Sequence, residues 1–345
     1  MAGNKHITVP DLLADPFRER SARMIREPFQ LLGGRFRFET NSRELLRVVD
    51  SAYAGLPRHR LSEVVPRLRV GLLLSPRGQP RPSRRLEPST LDMFSTAGFL
   101  GGATDSSDFA IIAPQERAAL VVVSPKMLRF PYHTRYELIE FAVFTLAART
   151  QGLVPLHAAC VGRSGRGILL MGSSGAGKST VALQCLLQGL DFLSEDAVFV
   201  APDTLRATGI ANFLHVRADS LRWIDRDSDA APIRNSPVIR RRSGVKKFEL
   251  DLRREGYRLA ASPPRIGALV FLSAKKSLDG PLLRPLSKST LLARLASTQA
   301  YAASQPGWPA FARRLANVGG FELRRGRHPL EAVEALRSLL AGRTP

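Results

Sequence analysis

The chain has 345 residues, 44% of them hydrophobic, with 27 Gly and 24 Pro. That is enough apolar sequence for about two domains, and it excludes collagen, coiled coil, a disulfide-stapled mini-protein and a wholly disordered chain. Basic residues exceed acidic ones by 51 to 30, a formal net charge of +21, and 43 of the 51 are Arg. The excess permits an anionic partner, but it equally describes a surface that uses Arg in place of Lys.

Cys160 and Cys185 sit inside apolar segments and read as buried reduced thiols, which suits a cytoplasmic protein. Residues 1–28 have no apolar run, so no signal peptide is expected. The most apolar segment, 138–148, is interrupted by Glu140 and falls far short of the roughly 20 residues of a membrane helix. The expectation is a soluble protein with no membrane partner.

Residues 1–30 read as a peripheral or poorly ordered start. Arg35–Glu39 alternates charged and aromatic residues, as a half-buried strand does. Asn41 or Ser42 can cap a helix running to Tyr53 and stopped by Gly55-Leu56-Pro57. Val64–Leu74 reads as a strand, Ser75–Ser89 as a Pro- and Arg-rich loop, and 109–113 and 118–124 as two strands around a turn. These elements predict a small α+β N-terminal domain over 1–134. Helical spacing over 136–151, ending at Gly152, opens a second domain over 135–345. There, 154–161 reads as a strand and 167–171 as another. The Gly162-x-x-Gly165-x-Gly167 run between them is a hairpin turn rather than a dinucleotide loop.

Gly172-Ser173-Ser174-Gly175-Ala176-Gly177-Lys178-Ser179-Thr180 matches the Walker A pattern G-x-x-x-x-G-K-[ST] in full, after an apolar strand and before a helix over 179–188. Such a P-loop binds ATP. Its glycines let backbone N–H groups face phosphate oxygens, and the helix N-terminus adds partial positive charge. Lys178 can reach the β and γ phosphates, and Ser179 can ligate magnesium.

Gly189 ends the helix, and 191–200 follows with Glu195-Asp196 inside it. A ten-residue helix carries the chain about 15 Å away from the loop, and five or six residues of strand bring it back by about 17–20 Å. Both carboxylates therefore return to the level of Lys178 and Ser179. One can hold the metal and the other accept a hydroxyl proton; a cap or solvated turn is the plainer alternative. His157 precedes the loop by one hairpin. Spacing leaves open a structural role, a hydrogen bond to the acidic pair, or a phosphate contact.

Leu156-His157-Ala158-Ala159, the 165–180 run and Leu193-Ser194-Glu195-Asp196-Ala197-Val198 together resemble the HPr kinase/phosphorylase family and its relatives. The resemblance covers about residues 153–200 and rests on the three parts together. It implies a mixed-sheet P-loop kinase fold of the phosphoenolpyruvate carboxykinase type, with ATP and Mg²⁺ as cofactors and serine phosphorylation as the activity. Carried over, His157 would assist an acidic residue. Glu195 would stand at the family's catalytic-base aspartate, and Asp196 at its second, metal-side aspartate beside Ser179. The family has Asp-Asp here, and Thr180 replaces its common Glu. No copy of the HPr-recognition segment occurs near 200–220, which points away from HPr itself and from reverse phosphorolysis.

Arg240-Arg241-Arg242, followed by Lys246 and Lys247, precedes an alternating strand over 248–252. The run can be a solvated loop, a lid contributing an Arg to the triphosphate, or a dock for an acidic substrate. Beyond it, 266–272 reads as a strand, 286–315 as helices broken at Pro306-Gly307, 321–325 as a short strand and 330–341 as a final helix.

The function expected is an ATP-dependent kinase, a transferase passing the γ-phosphoryl group to a hydroxyl-bearing acceptor, foremost a seryl hydroxyl of a peptide or protein. The alternatives are a nucleotide-binding regulatory module with slow ATPase activity and an anionic partner, or a small-molecule alcohol kinase. Nothing in the motifs calls for nucleic acid, and a homo-oligomer is left open.

Overall fold

The computed structural model describes residues 24–75, 88–173, 175–254, 256–277 and 280–343. The fold is mixed α/β, with four β-sheets among the described residues. Strands β1 (Ile25–Leu31) and β2 (Gly34–Thr40) form an antiparallel hairpin. Helix α1 (Arg43–Tyr53) starts at Ser42, whose side chain accepts from the Leu45 N–H. Strands β3 (Arg67–Leu74), β4 (Asp92–Thr96), β5 (Phe99–Ala103), β6 (Phe109–Ala113) and β7 (Ala118–Val123) complete a seven-stranded sheet in the order β1-β2-β3-β7-β6-β5-β4. A helical run begins at Pro131, widens to π geometry over Thr134–Ile139 and continues as α2 (Glu140–Gln151). Gly152, in the left-handed conformation, ends it.

Three expectations change here. Residues 25–30 belong to a strand, because Phe29 packs edge-on against Phe38 and Tyr53; residues 1–23 lie outside the described residues. Strands β4 and β5 were not anticipated, because two glycines in β5 and exposed side chains throughout β4 leave no period-2 signal. The core on the seven-stranded sheet runs past residue 134: α2 contributes Ala142, Val143 and Leu146 to it, together with Phe199 and Ile210 from further on.

The described residues that follow form the other three sheets. Strands β8 (Val154–His157), β9 (Ala159–Arg163) and β10 (Arg166–Met171) precede helix α3 (Lys178–Leu187). Then follow β11 (Asp191–Ser194), β12 (Ala197–Val200), β13 (Ala207–Gly209) and β14 (Phe213–Val216). After a short 3-10 helix, Ala218–Trp223, come α4 (Asp227–Arg234), β15 (Val238–Arg240), β16 (Lys246–Asp251), β17 (Arg265–Lys276) and β18 (Leu283–Pro285). Helices α5 (Lys288–Thr298) and α6 (Trp308–Ala316), strand β19 (Gly320–Arg325) and helix α7 (Pro329–Leu340) end the chain.

The central sheet runs β11-β9-β10-β17-β19-β18, with β10, β17 and β19 parallel. Alternation sorts its side chains. Ile168 and Leu170 pack with α3 and α7 on one face, while Leu169 and Met171 pack with α5 and α6 on the other. The turn joining β9 to β10 has positive φ at both Ser164 and Gly165, as a two-residue hairpin requires.

The segment 154–161, expected as one strand, is divided, and so is the run 191–200. Residues 154–161 split at Ala158, and 191–200 split at Glu195-Asp196. Their first and second halves lie in different sheets: β8 pairs with β12, β9 with β11. The Ala158 N–H donates to the Asp196 carbonyl where the two breaks meet. Among the described residues, no helix is long and apolar enough to cross a membrane.

Candidate active site

Strand β10 delivers the chain to the glycine-rich loop. Gly175 and Gly177 have φ of +80° and +104°, which L side chains resist. Lys178 is buried and its Nζ donates to the Gly172 carbonyl at 2.6 Å, drawing the lysine across its own loop. Burial lowers the Lys178 pKa, against the pull of Asp196 and Glu195. Ser174 lies outside the described residues; Gly172, Ser173, Ala176, Ser179 and Thr180 take their places on the loop and the first turn of α3.

The bend between β11 and β12 brings the acidic pair to this loop. Ser194 Oγ donates to the Ala197 carbonyl across it at 2.7 Å. Gly209 of β13 packs against its inside, where an added Cβ would stand 2.7 Å from Ser194 Cβ. Because the chain bends, Glu195 and Asp196 do not alternate as strand neighbours. Glu195 turns inward and is buried, and Asp196 faces a cleft with its side chain 42% exposed.

Glu195 is fully engaged. Its Oε1 accepts from Ser179 Oγ at 2.7 Å and lies 4.0 Å from Lys247 Nζ. Its Oε2 accepts from the His215 backbone N–H at 2.9 Å and from His215 Nδ1 at 2.8 Å. Burial alone would raise the Glu195 pKa. The His215 hydrogen bonds and charge, Lys247 and Ser179 outweigh it and hold the carboxyl down at about 2.

His215 continues the network inward. Its Nε2 lies 2.9 Å from Tyr136 Oη and 3.3 Å from Glu249 Oε1, and Glu249 pairs with Arg135. Burial lowers the His215 pKa, but hydrogen bonds to Glu195 and Glu249 raise it overall, with Arg241 opposing. Arg135 and Tyr136 come from the π-helical stretch, so the run that lines the N-terminal core also braces the loop's carboxylate. His59 strengthens the same junction through Thr208 Oγ1 and the Ala260 carbonyl, both at 2.8 Å.

The cleft has a volume of about 670 Å³ and runs from His157, Asp196 and Arg241 past the loop to Trp223 and His328. Of the three arginines singled out in sequence, the structure brings one to the site. Arg241 donates to Asp196 Oδ2 at 3.3 Å, and its buried Nε has no hydrogen-bond partner among the described residues. Arg240 is exposed on β15, outside the cleft lining. Arg242 turns to Glu137 and to the carbonyls of Pro88 and Ser89. Lys247, named with the same run, reaches the cleft.

His157 also lines the cleft, but its side chain hydrogen-bonds to neither carboxylate. Its backbone is clamped at both N–H and carbonyl by the Gln299 side chain. The histidine on the acidic pair is His215, which sequence reasoning passed over. Sequence held one signal, a lone polar residue, His215, in the otherwise apolar strand β14; its cross-strand partner on β16 is Glu249.

No protein-family model matches the chain, and no curated protein matches its sequence. Among solved structures it is similar to the HPr(Ser) kinase/phosphatase from Coxiella burnetii, at 13% identity and a TM-score of 0.28, over 55% of this chain and 97% of that one. A likeness that low specifies neither the chemistry nor the residues that perform it.

Proposed function

We propose that the chain is an ATP-dependent phosphotransferase that passes the γ-phosphoryl group to an alcohol, foremost a seryl hydroxyl. The observation that carries this reading is the joining of the Walker A serine to a buried carboxylate, Ser179 to Glu195 at 2.7 Å, beside a second carboxylate and an arginine open to the same cleft.

The oxygen donors suit magnesium, a hard cation. Among the described residues no cluster of three or more His, Cys, Asp and Glu side chains forms a metal cage. Magnesium on phosphates needs only one or two carboxylates besides the phosphate oxygens. Ser179 would hold it, with Asp196 as the adjacent carboxylate. When bound with the nucleotide, magnesium neutralises charge on the β and γ phosphates. The unpartnered Nε of Arg241 and the positive-φ glycines fit a phosphate in the cleft.

The chain's own groups divide the remaining work. Lys178 binds terminal phosphate oxygens once it leaves the Gly172 carbonyl. Glu195 orients Ser179 and stays ionised; with Oε1 and Oε2 both accepting hydrogen bonds and its pKa held low, it is a poor base. Asp196, open to the cleft, takes the acceptor's proton. The base role that the family resemblance implies for Glu195 thus passes to Asp196, which keeps its place beside the metal. Arg241, 3.3 Å from Asp196, stabilises charge on the transferring group.

The test incubates the full chain with Mg·ATP and a panel of peptides, small alcohols and HPr, with ADP release and intact mass as readouts. A phosphoryl-sized mass gain, lost in Lys178→Ala and Asp196→Ala, supports the reading. Nucleotide binding without transfer to any acceptor would replace it with the regulatory module.

A further inference from the structure

The cleft extends well past the atoms that transfer needs, and its far end has a different chemistry. Lys178 and Ser179 serve the terminal phosphates of a nucleotide on a Walker A loop. Its sugar end must then leave over the first turn of α3, at Thr180. Thr180 Oγ1 is 3.1 Å from Ser220 Oγ, which ties that turn to the 3-10 helix Ala218–Trp223. One turn further along α3, Gln184 Nε2 donates to the Trp223 carbonyl at 2.6 Å.

Trp223 is the one Trp, Tyr or Phe among the described residues that line the cleft. Its backbone is held by Gln184, while its half-buried indole faces the cleft. The Arg222 guanidinium lies over the indole, 4.9 Å from its centre, and His328 meets it edge to face at 5.2 Å. An aromatic plate backed by a cation, beside a channel for phosphates, is what a heteroaromatic base stacks on.

We infer that Trp223, with Arg222 and His328 around it, is the subsite for the nucleobase of the bound nucleotide. This rests on the phosphate-loop reading above. The two ends of the cleft then have separate duties: Asp196 and Arg241 meet the acceptor at one end, and Trp223 selects a nucleotide over a bare polyphosphate at the other.

The test compares ATP with inorganic tripolyphosphate, both with magnesium, by calorimetry on the full-length protein. The wild type binds ATP about tenfold more tightly than tripolyphosphate, the order of one stacked base. Trp223→Ala removes most of that difference by weakening ATP while tripolyphosphate binding stays the same, and Trp223→Phe keeps most of it. An unchanged ATP affinity in Trp223→Ala overturns the inference, as does an equal loss for both ligands. Failure of tripolyphosphate to bind the wild type, or binding untouched by Lys178→Ala, instead strikes the phosphate-loop reading and takes this inference with it.

Discussion

Substitution of His215 tests the network behind the loop, because one imidazole joins two buried carboxylates. In the folded protein Nδ1 serves Glu195 and Nε2 faces Glu249. His215→Ala removes both contacts and leaves Glu195 with only the residue-215 backbone N–H on that oxygen. Breaking one member of a buried charged network costs about 3–5 kcal/mol. His215→Asn retains a short N–H donor near the Nδ1 position and loses about half of that, since one hydrogen bond to a charged group contributes about 1.5–3 kcal/mol.

The loss must also depend on pH. The folded pKa of His215 is raised above the usual 6.5. The stability it contributes is therefore fully present below about 6.5 and is lost as pH rises through the folded value. Urea unfolding followed by far-ultraviolet circular dichroism at acidic and alkaline pH reads both effects. The gap between wild type and His215→Ala should be wide at about pH 6 and narrower above the folded value. A gap that does not change with pH, or an Ala variant within about 1 kcal/mol of wild type, would refute the charged network.

Asp196→Asn should lower kcat by about 10²–10⁴, the range for a lost general base, while nucleotide affinity is largely kept; initial rates at saturating ATP decide it. Glu195→Gln should instead lower the melting temperature, because the amide cannot accept from His215 and Ser179 as a carboxylate does. Arg241→Lys should slow transfer by an order of magnitude or more without a matching loss of stability, since lysine lacks the planar fork. Glu140 concerns pH in a second way. Burial, only partly offset by Arg135, raises its pKa to about 7. The folded state then holds more protons than the unfolded one between about pH 4.3 and 7, so stability falls as pH rises through that window. Glu140→Gln should flatten that slope and gain about 3 kcal/mol at pH 8 relative to wild type, with little gain at pH 4.5, as measured by chemical unfolding.

Features that depend on neighbours along the chain were legible from residue order. The Walker A loop with its flanking strand and helix, a helix cap at Asn41 or Ser42, the Gly152 stop and the Gly165 hairpin all follow from residue type at short spacing. The return of Glu195 and Asp196 to the loop was legible as well, because helix rise and strand rise set the distance. Which groups meet depends on how distant segments pack. The breaks at Ala158 and at Glu195-Asp196 arise where two sheets claim the two halves of each run, β8 with β12 and β9 with β11. That bend sends Glu195 inward and leaves Asp196 in the cleft, a difference that two adjacent acids do not announce. His215 meets Glu195 through the placement of β14, and of the three arginines Arg241, in the turn between β15 and β16, reaches Asp196 while Arg242 turns to Glu137. Local propensity fixes elements within a few residues. The buried charges are partnered across 20 positions, Glu195 with His215, and across 114, Arg135 with Glu249, by register and sheet order rather than by local sequence.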